Sequence, residues 1–126
     1  MKKVFIIVTT SLFILTSCGD KNITHNSDGS VTVNTIEIGN GIRAFGGQLP
    51  LNVTFKDDVI KNVEILENHE TPDYLDCVEK EMLPKFIDLP ISDIDKIDGV
   101  SGATFSSKGL RNNIKVASEY YKNHKN

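Results

Sequence analysis

A paired apolar pattern in the middle of the chain constrains the fold more than any other feature. Apolar and polar residues alternate over residues 51–55, and a second apolar pattern returns over residues 60–65. Alternation of this kind is typical of a strand with one buried face. The short link Lys56-Asp57-Asp58 between the two patterns predicts a hairpin turn. We therefore expect a β-hairpin within a small antiparallel sheet.

The residues before this hairpin predict further strands and turns. Residues 31–38 hold two valines and then Ile36 and Ile38, separated by polar residues. This pattern indicates one half-buried strand, or two strands with a shift in register. Gly39-Asn40-Gly41 predicts a turn. The pair Gly46-Gly47 either belongs to another turn or marks a place where the backbone passes close to a ligand.

Two segments after the hairpin show helical spacing. Residues 73–83 carry an apolar residue at every third or fourth position and are followed by Pro84, which ends a helix. A second amphipathic helix is predicted from about residue 107 to residue 121. The apolar positions of the two helices are Leu75, Val78 and Met82 in the first, and Leu110, Ile114, Ala117 and Tyr121 in the second.

The segment between the two helices, residues 86–97, is irregular and acidic. Its residues Asp88, Asp93 and Asp95 are of the type that binds divalent metal ions. Their spacing lacks the glycine and the terminal glutamate of a calcium loop. A solvated acidic face is the favoured interpretation, and no metal site is predicted.

The first residues of the chain read as a secretory signal peptide. Met1-Lys2-Lys3 is basic, and the apolar run over residues 4–15 is too short for a membrane span, because twelve residues at about 1.5 Å each give about 18 Å. The end of this segment, Leu15-Thr16-Ser17-Cys18, resembles the bacterial lipobox, which implies that Cys18 is lipidated. We therefore predict a lipoprotein signal peptide over residues 1–17. The mature chain would be anchored to a membrane by acyl chains, outside the cytoplasm in a bacterial cell envelope.

Composition limits the remaining possibilities. The net charge is -3 with no basic run, which argues against nucleic-acid binding. Lipidation of Cys18 would leave Cys77 without a disulfide partner in the chain, and we expect Cys77 to be a buried structural thiol. Residues 18–30 comprise the lipidated N-terminus and a polar segment rich in turn formers, which predicts a flexible tether. One small domain then occupies residues 31–126.

A cluster of glycines and hydroxyls stands directly before the C-terminal helix, in the sequence Asp98-Gly99-Val100-Ser101-Gly102-Ala103-Thr104-Phe105-Ser106-Ser107. Free backbone N–H groups and the dipole at a helix N-terminus attract an anion such as phosphate. The small residues Gly102 and Ala103 allow a ligand to approach the backbone. The hydroxyls can cap the helix, bind phosphate oxygens or become esterified. Composition alone favours a glycine-containing turn with a serine cap and no ligand, because capping serines are common.

The stretch from Asp98 to Thr104 resembles the flavinylation motif of the FMN-binding domain family. That family includes the covalent-flavin subunits of the sodium-pumping quinone reductase and of the ferredoxin:NAD oxidoreductase complex. The resemblance implies that Thr104 carries FMN through a phosphoester bond, made by a separate flavin transferase. It also implies that Asp98 is the leading acidic residue and that Ser101, Gly102 and Ala103 form the turn presenting the hydroxyl. Lys108 in the next turn is a candidate to assist the phosphate.

A second resemblance to the same family lies at His69-Glu70-Thr71. In the family these residues lie beside the flavin, which implies that His69 and Thr71 hydrogen-bond flavin oxygens while Glu70 orients its neighbours. Gly47 is included among the cofactor-binding candidates. The simpler interpretation is that Thr71 caps a helix whose first residue is Pro72. The two interpretations are compatible.

Together these features predict an α+β fold: a small antiparallel sheet with about two packed helices and the flavinylation motif at the N-terminus of the C-terminal helix. The predicted protein is a membrane-anchored flavoprotein that transfers electrons, rather than a stand-alone enzyme, with no catalytic residues of its own.

A threonine hydroxyl needs an activating base, and none is evident near Thr104, which agrees with modification by another enzyme. The implied partners are that transferase and a membrane redox donor such as a quinone-linked or NADH dehydrogenase. The alternatives are a lipoprotein that holds a phosphate-bearing ligand noncovalently, or a structural envelope lipoprotein.

Overall fold

The structure, a computed structural model, describes residues 20–125. The predicted signal peptide over residues 1–17 and the predicted lipidation site Cys18 lie outside the described residues. The strands are β1 (Ile23–His25), β2 (Val31–Asn34), β3 (Arg43–Ala44), β4 (Gly47–Gln48), β5 (Leu51–Lys56), β6 (Val59–Ile65) and β7 (Leu89–Pro90). The helices are α1 (Pro72–Glu81) and α2 (Thr104–His124), and two 3₁₀ turns span Leu83–Phe86 and Ile91–Lys96.

Within the described range, the main sheet has five antiparallel strands in the spatial order β1-β2-β5-β6-β7. Strands β3 and β4 form a separate short hairpin. Helix α2 packs against β2, β5 and β3, and also against α1. The α+β fold is confirmed, with the glycine- and hydroxyl-rich stretch at the start of the C-terminal helix.

The central hairpin matches the sequence pattern. Lys56 pairs with Val59, so the turn consists of Asp57 and Asp58, whose φ angles are 54° and 64°. Two successive residues with positive φ are characteristic of the turn that matches the twist of two-residue hairpins. The predicted β5–β6 hairpin is therefore confirmed.

The two faces of the sheet differ because apolar and polar side chains alternate along β2 and β5. The apolar side chains of these strands are fully or almost fully buried beneath α2. On the other face, the Thr32 and Thr54 hydroxyls are 3.0 Å apart, and the Asn34 amide donates to Asn52 Oδ1 at 2.9 Å. Cross-strand pairs of this kind stabilise a sheet whose second face remains polar. The core therefore lies between one sheet face and α2.

The N-terminal part of the domain differs from the prediction in two places. Ile23–His25, expected within the flexible tether, pairs with Val31–Val33 as strand β1, so the polar segment is largely a hairpin loop. Its turn is closed by the Asn26 N–H, which donates to the Ser30 carbonyl at 2.9 Å. The predicted strand through Ile36 and Ile38 is wrong, because β2 ends at Asn34. The Thr35 hydroxyl accepts from Leu51 N–H at 2.8 Å, and the Thr35 carbonyl accepts from Gly39 N–H, which turns the chain.

Both helices form where predicted, with shifted ends. Helix α1 begins at Pro72 and ends before Pro84, and the second helix begins three residues earlier than expected and ends at His124. Thr71 is at the N-cap position of α1, but its hydroxyl makes no capping hydrogen bond. The earlier start of α2 brings Thr104 into its first turn.

The acidic residues between the helices take part in separate ion pairs. Asp88 pairs with Lys61 at 2.7 Å, Asp93 with Lys96 at 3.0 Å and Asp95 with Lys115 at 3.0 Å. In residues 20–125, no group of three or more potential ligands is placed to hold a metal ion.

Cys77 is a free thiol and is half-buried against the core rather than fully buried. Neither helix of residues 20–125 combines the length and the apolar character that a membrane-spanning helix needs.

The end of the sheet that carries the Asp57-Asp58 turn is joined to the last turns of α2. The Tyr121 ring stacks on Phe55 with centroids 4.6 Å apart, and its hydroxyl accepts from Asp58 N–H at 3.2 Å. Burial raises the pKa of Tyr121. The hydrogen bond from Lys125 lowers the pKa of Asp58, so this pair contributes stability above the ordinary carboxyl pKa and loses it as the pH falls through the lowered value.

We expect Tyr121→Phe to lower the free energy of unfolding by about 1 kcal/mol, because the ring stack remains while the acceptor for Asp58 N–H is lost. Urea denaturation measures the change. Lys122→Ala, at an exposed neighbouring position, serves as the control and should alter stability much less. Equal stability of Tyr121→Phe and the parent chain would show that water replaces the lost acceptor.

Candidate functional site

The candidate site is built on the start of α2. Ala103 is the N-cap residue and supplies no side-chain cap. The first intrahelical bond runs from Ser107 N–H to the Ala103 carbonyl at 2.9 Å. The N–H groups of the first turn therefore remain directed out of the helix, where they and the helix dipole attract an anion. Thr104 is the first helical residue and is exposed beside these groups.

Three aromatic side chains form one wall beside Thr104. The Phe45 ring meets Tyr74 edge-on with centroids 4.9 Å apart, and the Phe45 and Phe105 centroids are 6.5 Å apart. Phe45 is 55% exposed and Phe105 is 61% exposed, which is unusual for phenylalanine. We call the adjoining space, about 260 Å³, the aromatic cleft; it is lined by Phe45, Tyr74, Gly102, Ala103, Thr104, Phe105 and Ser106. Exposed rings at this position provide a surface on which a planar ligand can stack.

A second space opens on the other side of Thr104. Lys108 and Arg111 lie about one and two turns further along α2, on the same side of the helix as Thr104. The Arg111 guanidinium is held in place by the Ile97 carbonyl, which accepts from Nη2 at 2.7 Å and from Nε at 3.2 Å. We call this space, about 310 Å³, the cationic cleft; it is lined by Gly99, Val100, Ser101, Thr104, Ser107, Lys108 and Arg111. Two cations beside an exposed hydroxyl and free N–H groups suit a phosphate.

Of the four hydroxyl residues in the motif, two are already bonded within the protein. Ser106 is buried and donates to the Glu70 carboxylate. Ser107 is buried, and its hydroxyl accepts from Val100 N–H at 2.8 Å, which fixes the turn before the helix. Ser101 and Thr104 are exposed. Thr104 lines both clefts, so its hydroxyl is the one placed between them.

Glu70 connects the site to the rest of the domain. It is only 7% exposed, and its carboxylate accepts from the backbone N–H groups of Phe45 and Gly46 as well as from Ser106. A buried carboxylate is costly unless hydrogen bonds compensate for the lost water. These three donors hold the loop after β3, which contains the first residue of the aromatic wall, against the first turn of α2. Glu70 therefore fixes the position of the loop after β3 relative to α2.

Glycine is required at positions 46 and 102 for two different structural reasons. A Cβ at Gly46 would lie 2.3 Å from the His69 carbonyl oxygen and 2.7 Å from Glu70 Cα. The close approach suspected at Gly46-Gly47 is therefore to the chain's own backbone. Gly102 has a φ of 89° with nothing within 4 Å of an added Cβ, so conformation and not space requires glycine there.

The remaining predicted residues are spread around the site. Gly47 and His69 line a third space of about 770 Å³, of which Thr104 is not a lining residue. Asp98 is exposed and Thr71 is half-buried, and neither lines any of these three spaces. The structure thus brings Thr104, Ser101, Gly102 and Ala103 together, with Glu70 attached through Ser106, and it separates His69 and Gly47 from them.

The sequence alone did not identify four residues of the site, which are Phe45, Tyr74, Phe105 and Arg111. For Arg111, a signal existed, since its helical spacing from Thr104 and Lys108 places all three on one side of a helix. Phe105 adjoins the motif. Phe45 and Tyr74 gave no local signal, because they reach the site only through tertiary packing.

Comparison with known proteins identifies the family. The model of the FMN-binding domain family matches residues 45–119, more than half of the chain. The chain belongs to the FMN-binding domain family. The match begins at Phe45, runs through Glu70 and the aromatic and cationic clefts, and covers most of α2. Comparisons with curated proteins and with solved structures gave no match.

FMN is the cofactor that membership of the FMN-binding domain family supports, and the residues at the site fit it. The exposed rings of Phe45, Tyr74 and Phe105 suit a flat heteroaromatic ring system. Lys108, Arg111 and the open helix N-terminus suit a phosphate. The two kinds of surface meet at Thr104.

We expect Glu70→Ala to lower the free energy of unfolding by at least about 2 kcal/mol, because three donors lose their shared acceptor in a buried place. Amide hydrogen exchange of Phe45 and Gly46, whose N–H groups donate to Glu70, should also accelerate. Urea denaturation and exchange mass spectrometry measure the two effects. The control is Glu67→Ala, an exposed glutamate in the same loop. Comparable losses in both variants would contradict the connecting role of Glu70.

A second pair of variants tests the close approach at Gly46. Gly46→Ala should destabilise the domain by about 1–3 kcal/mol, because the new methyl group overlaps backbone atoms of His69 and Glu70. Gly41→Ala is the matched control, since nothing lies within 4 Å of a Cβ there. Thermal denaturation compares them. A Gly46→Ala protein as stable as Gly41→Ala would show that the loop relaxes without cost.

Proposed function

We propose that the protein is a lipid-anchored, extracytoplasmic flavoprotein that carries FMN covalently on Thr104 and transfers electrons. The observation that carries this proposal is the position of the Thr104 hydroxyl, exposed at the border between the aromatic and cationic clefts. A phosphoester at this hydroxyl would leave the phosphate next to Lys108, Arg111 and the helix N-terminus. The flavin ring would then lie within reach of Phe45, Tyr74 and Phe105.

The roles of the chain follow from these contacts. When bound, FMN supplies one- and two-electron redox chemistry. The cationic cleft balances the charge of the phosphate, and the aromatic wall orients the ring. The Glu70 contacts keep the two surfaces in fixed relation. A covalent bond prevents loss of the cofactor to the surrounding medium, which matters for a protein outside the cytoplasm.

The surroundings of Thr104 support attachment by a separate flavin transferase. A threonine hydroxyl is a weak nucleophile and requires a base within hydrogen-bond reach. The nearest carboxylate in the connected network, that of Glu70, is buried and already accepts from Ser106 and two backbone N–H groups. The proposed partners are thus the transferase and a membrane redox donor, such as a quinone-linked or NADH dehydrogenase.

The proposed location depends on the first residues of the chain. The basic start, the short apolar run over residues 4–15 and the lipobox-like Leu15-Thr16-Ser17-Cys18 support export and acylation at Cys18. Acyl chains at one residue hold a protein at a membrane surface without a spanning helix.

A second candidate function is favoured by the cationic cleft. Lys108, Arg111 and the free N–H groups of α2 are sufficient to hold a phosphate-bearing ligand without a covalent bond. Denaturing the protein separates this candidate from the covalent flavoprotein, because a noncovalent ligand is lost on denaturation.

We expect Thr104→Ala, co-expressed with a flavin transferase, to lose all flavin fluorescence that migrates with the denatured protein band. The matched control is Ser101→Ala, which removes the other exposed hydroxyl of the motif and should retain the fluorescence. Thr104→Ser keeps a hydroxyl and should retain part of the signal. Intact-mass spectrometry of the same samples reports both FMN and the acyl group on Cys18. Fluorescence retained in Thr104→Ala, or a colourless parent protein, would refute covalent attachment at this residue.

A further inference from the structure

The direction of the strands fixes the end of the domain at which the chain enters from Cys18. Ile23 pairs with Val33, and the Asn22 carbonyl accepts from Asn34 N–H at 2.8 Å. The residues before β1 therefore lie at the end of the sheet where β2 finishes. By the same antiparallel register, β5 begins and β6 finishes at this end, since Leu51 pairs with Ile65.

Thr104 lies at this same end. From the end of β6, the chain runs directly to Glu70, whose carboxylate binds Ser106 in the first turn of α2. The other end of α2 is at the opposite end of the sheet, where Tyr121 contacts Asp58 in the β5–β6 turn. With 21 residues at about 1.5 Å each, α2 separates the two ends by about 30 Å. The entry point and the candidate site thus share one end, which we call the site end.

The site end also carries the exposed apolar side chains. Among residues 20–125, the large hydrophobic residues that are exposed are Ile36 at 49%, Phe45 at 55% and Phe105 at 61%. Ile36 lies just after β2, and the two phenylalanines belong to the aromatic wall. The ordinary distribution of single exposed apolar residues over a surface does not explain why all three lie at one end.

The length of chain between the proposed anchor and the domain is short. Asn22 is already held by a hydrogen bond from its N–H to Asp20 Oδ1 at 2.9 Å and by its bond to Asn34. Three residues lie between Cys18 and Asn22, so the two are four Cα–Cα steps apart, which allows at most about 14 Å even when fully extended. This reach is about half the length of α2. The site end therefore cannot move far from the membrane while Cys18 is anchored.

We propose that the site end rests on the lipid bilayer, with Ile36, Phe45 and Phe105 turned towards its interfacial region. This inference rests on the proposed anchor at Cys18 and adds to it a fixed orientation. Apolar side chains held this close to a bilayer by a short connection need only weak affinity to remain in contact. In this orientation Thr104 faces redox partners that are embedded in or dissolved in the membrane, and the β5–β6 turn faces away.

The test uses the full-length acylated protein in phosphatidylcholine vesicles that contain nitroxide-labelled lipid. An environment-sensitive fluorophore is attached to Glu67→Cys, in the loop after β6 at the site end, or to Asn123→Cys at the opposite end, each in a Cys77→Ala background. Both residues are exposed, and Glu67 lines the same space as Ile36. We expect several-fold stronger quenching at position 67 than at position 123. Ile36→Asn should reduce the quenching at position 67.

Each other outcome is informative. Equal quenching at the two positions, or stronger quenching at position 123, overturns the orientation while the mass of acylated Cys18 still supports the anchor. Strong quenching at position 67 in native membranes but not in pure lipid vesicles also overturns the proposal, in favour of a membrane protein as the contact. A chain that is not acylated and does not bind vesicles removes both the anchor and the orientation. FMN attachment is scored separately, by the flavin fluorescence of the denatured protein band, so failure of the proposed cofactor is distinguishable from failure of the orientation.

Discussion

The buried carboxylate of Glu70 is the interaction on which the candidate site depends. It joins three segments that are distant in the sequence: the loop after β3, the loop between β6 and α1, and the first turn of α2. Two backbone N–H groups and one hydroxyl replace the water that the carboxylate loses on folding. Gly46 makes this arrangement possible, because any side chain there would collide with the backbone next to Glu70. The aromatic wall and the helix N-terminus are therefore held together by one set of hydrogen bonds. This arrangement keeps Thr104 at the border between the aromatic and cationic clefts.

Elements with a strong internal period were predictable from the sequence. The β5–β6 hairpin has clear alternation and an Asp57-Asp58 turn, and both helices show apolar spacing, so each formed where expected. The errors fall where local composition and tertiary pairing disagree. Ile23–His25 is surrounded by turn formers, yet it pairs along β2 because the loop from Asn26 to Ser30 returns the chain in register. Ile36 continues an apolar pattern, yet the Thr35 contacts with Leu51 and Gly39 end the strand before it.

The residues of the candidate site likewise fall into those that were predictable from the sequence and those that were not. Local physics predicted a turn before the helix, with or without a ligand, and only the resemblance to the family motif pointed to Thr104. The functions of the individual hydroxyls were not predictable, since only packing decides that Ser106 and Ser107 are bonded internally while Ser101 and Thr104 face solvent. Phe45 and Tyr74 contribute through contacts between distant segments. His69 and Gly47, adjacent in sequence to residues at the centre of the site, line a different space.

The length and direction of α2 have a practical consequence for electrochemistry. Its last residues, near Tyr121 and Lys125, are at the end of the molecule opposite Thr104. A surface that captures the protein by these residues would hold every molecule in the same pose, with the aromatic wall pointing into solution. Capture by the other end would press the wall against the support. An electrode modified in these two ways would therefore probe the proposed flavin at Thr104 over long or short tunnelling distances, according to which end is attached.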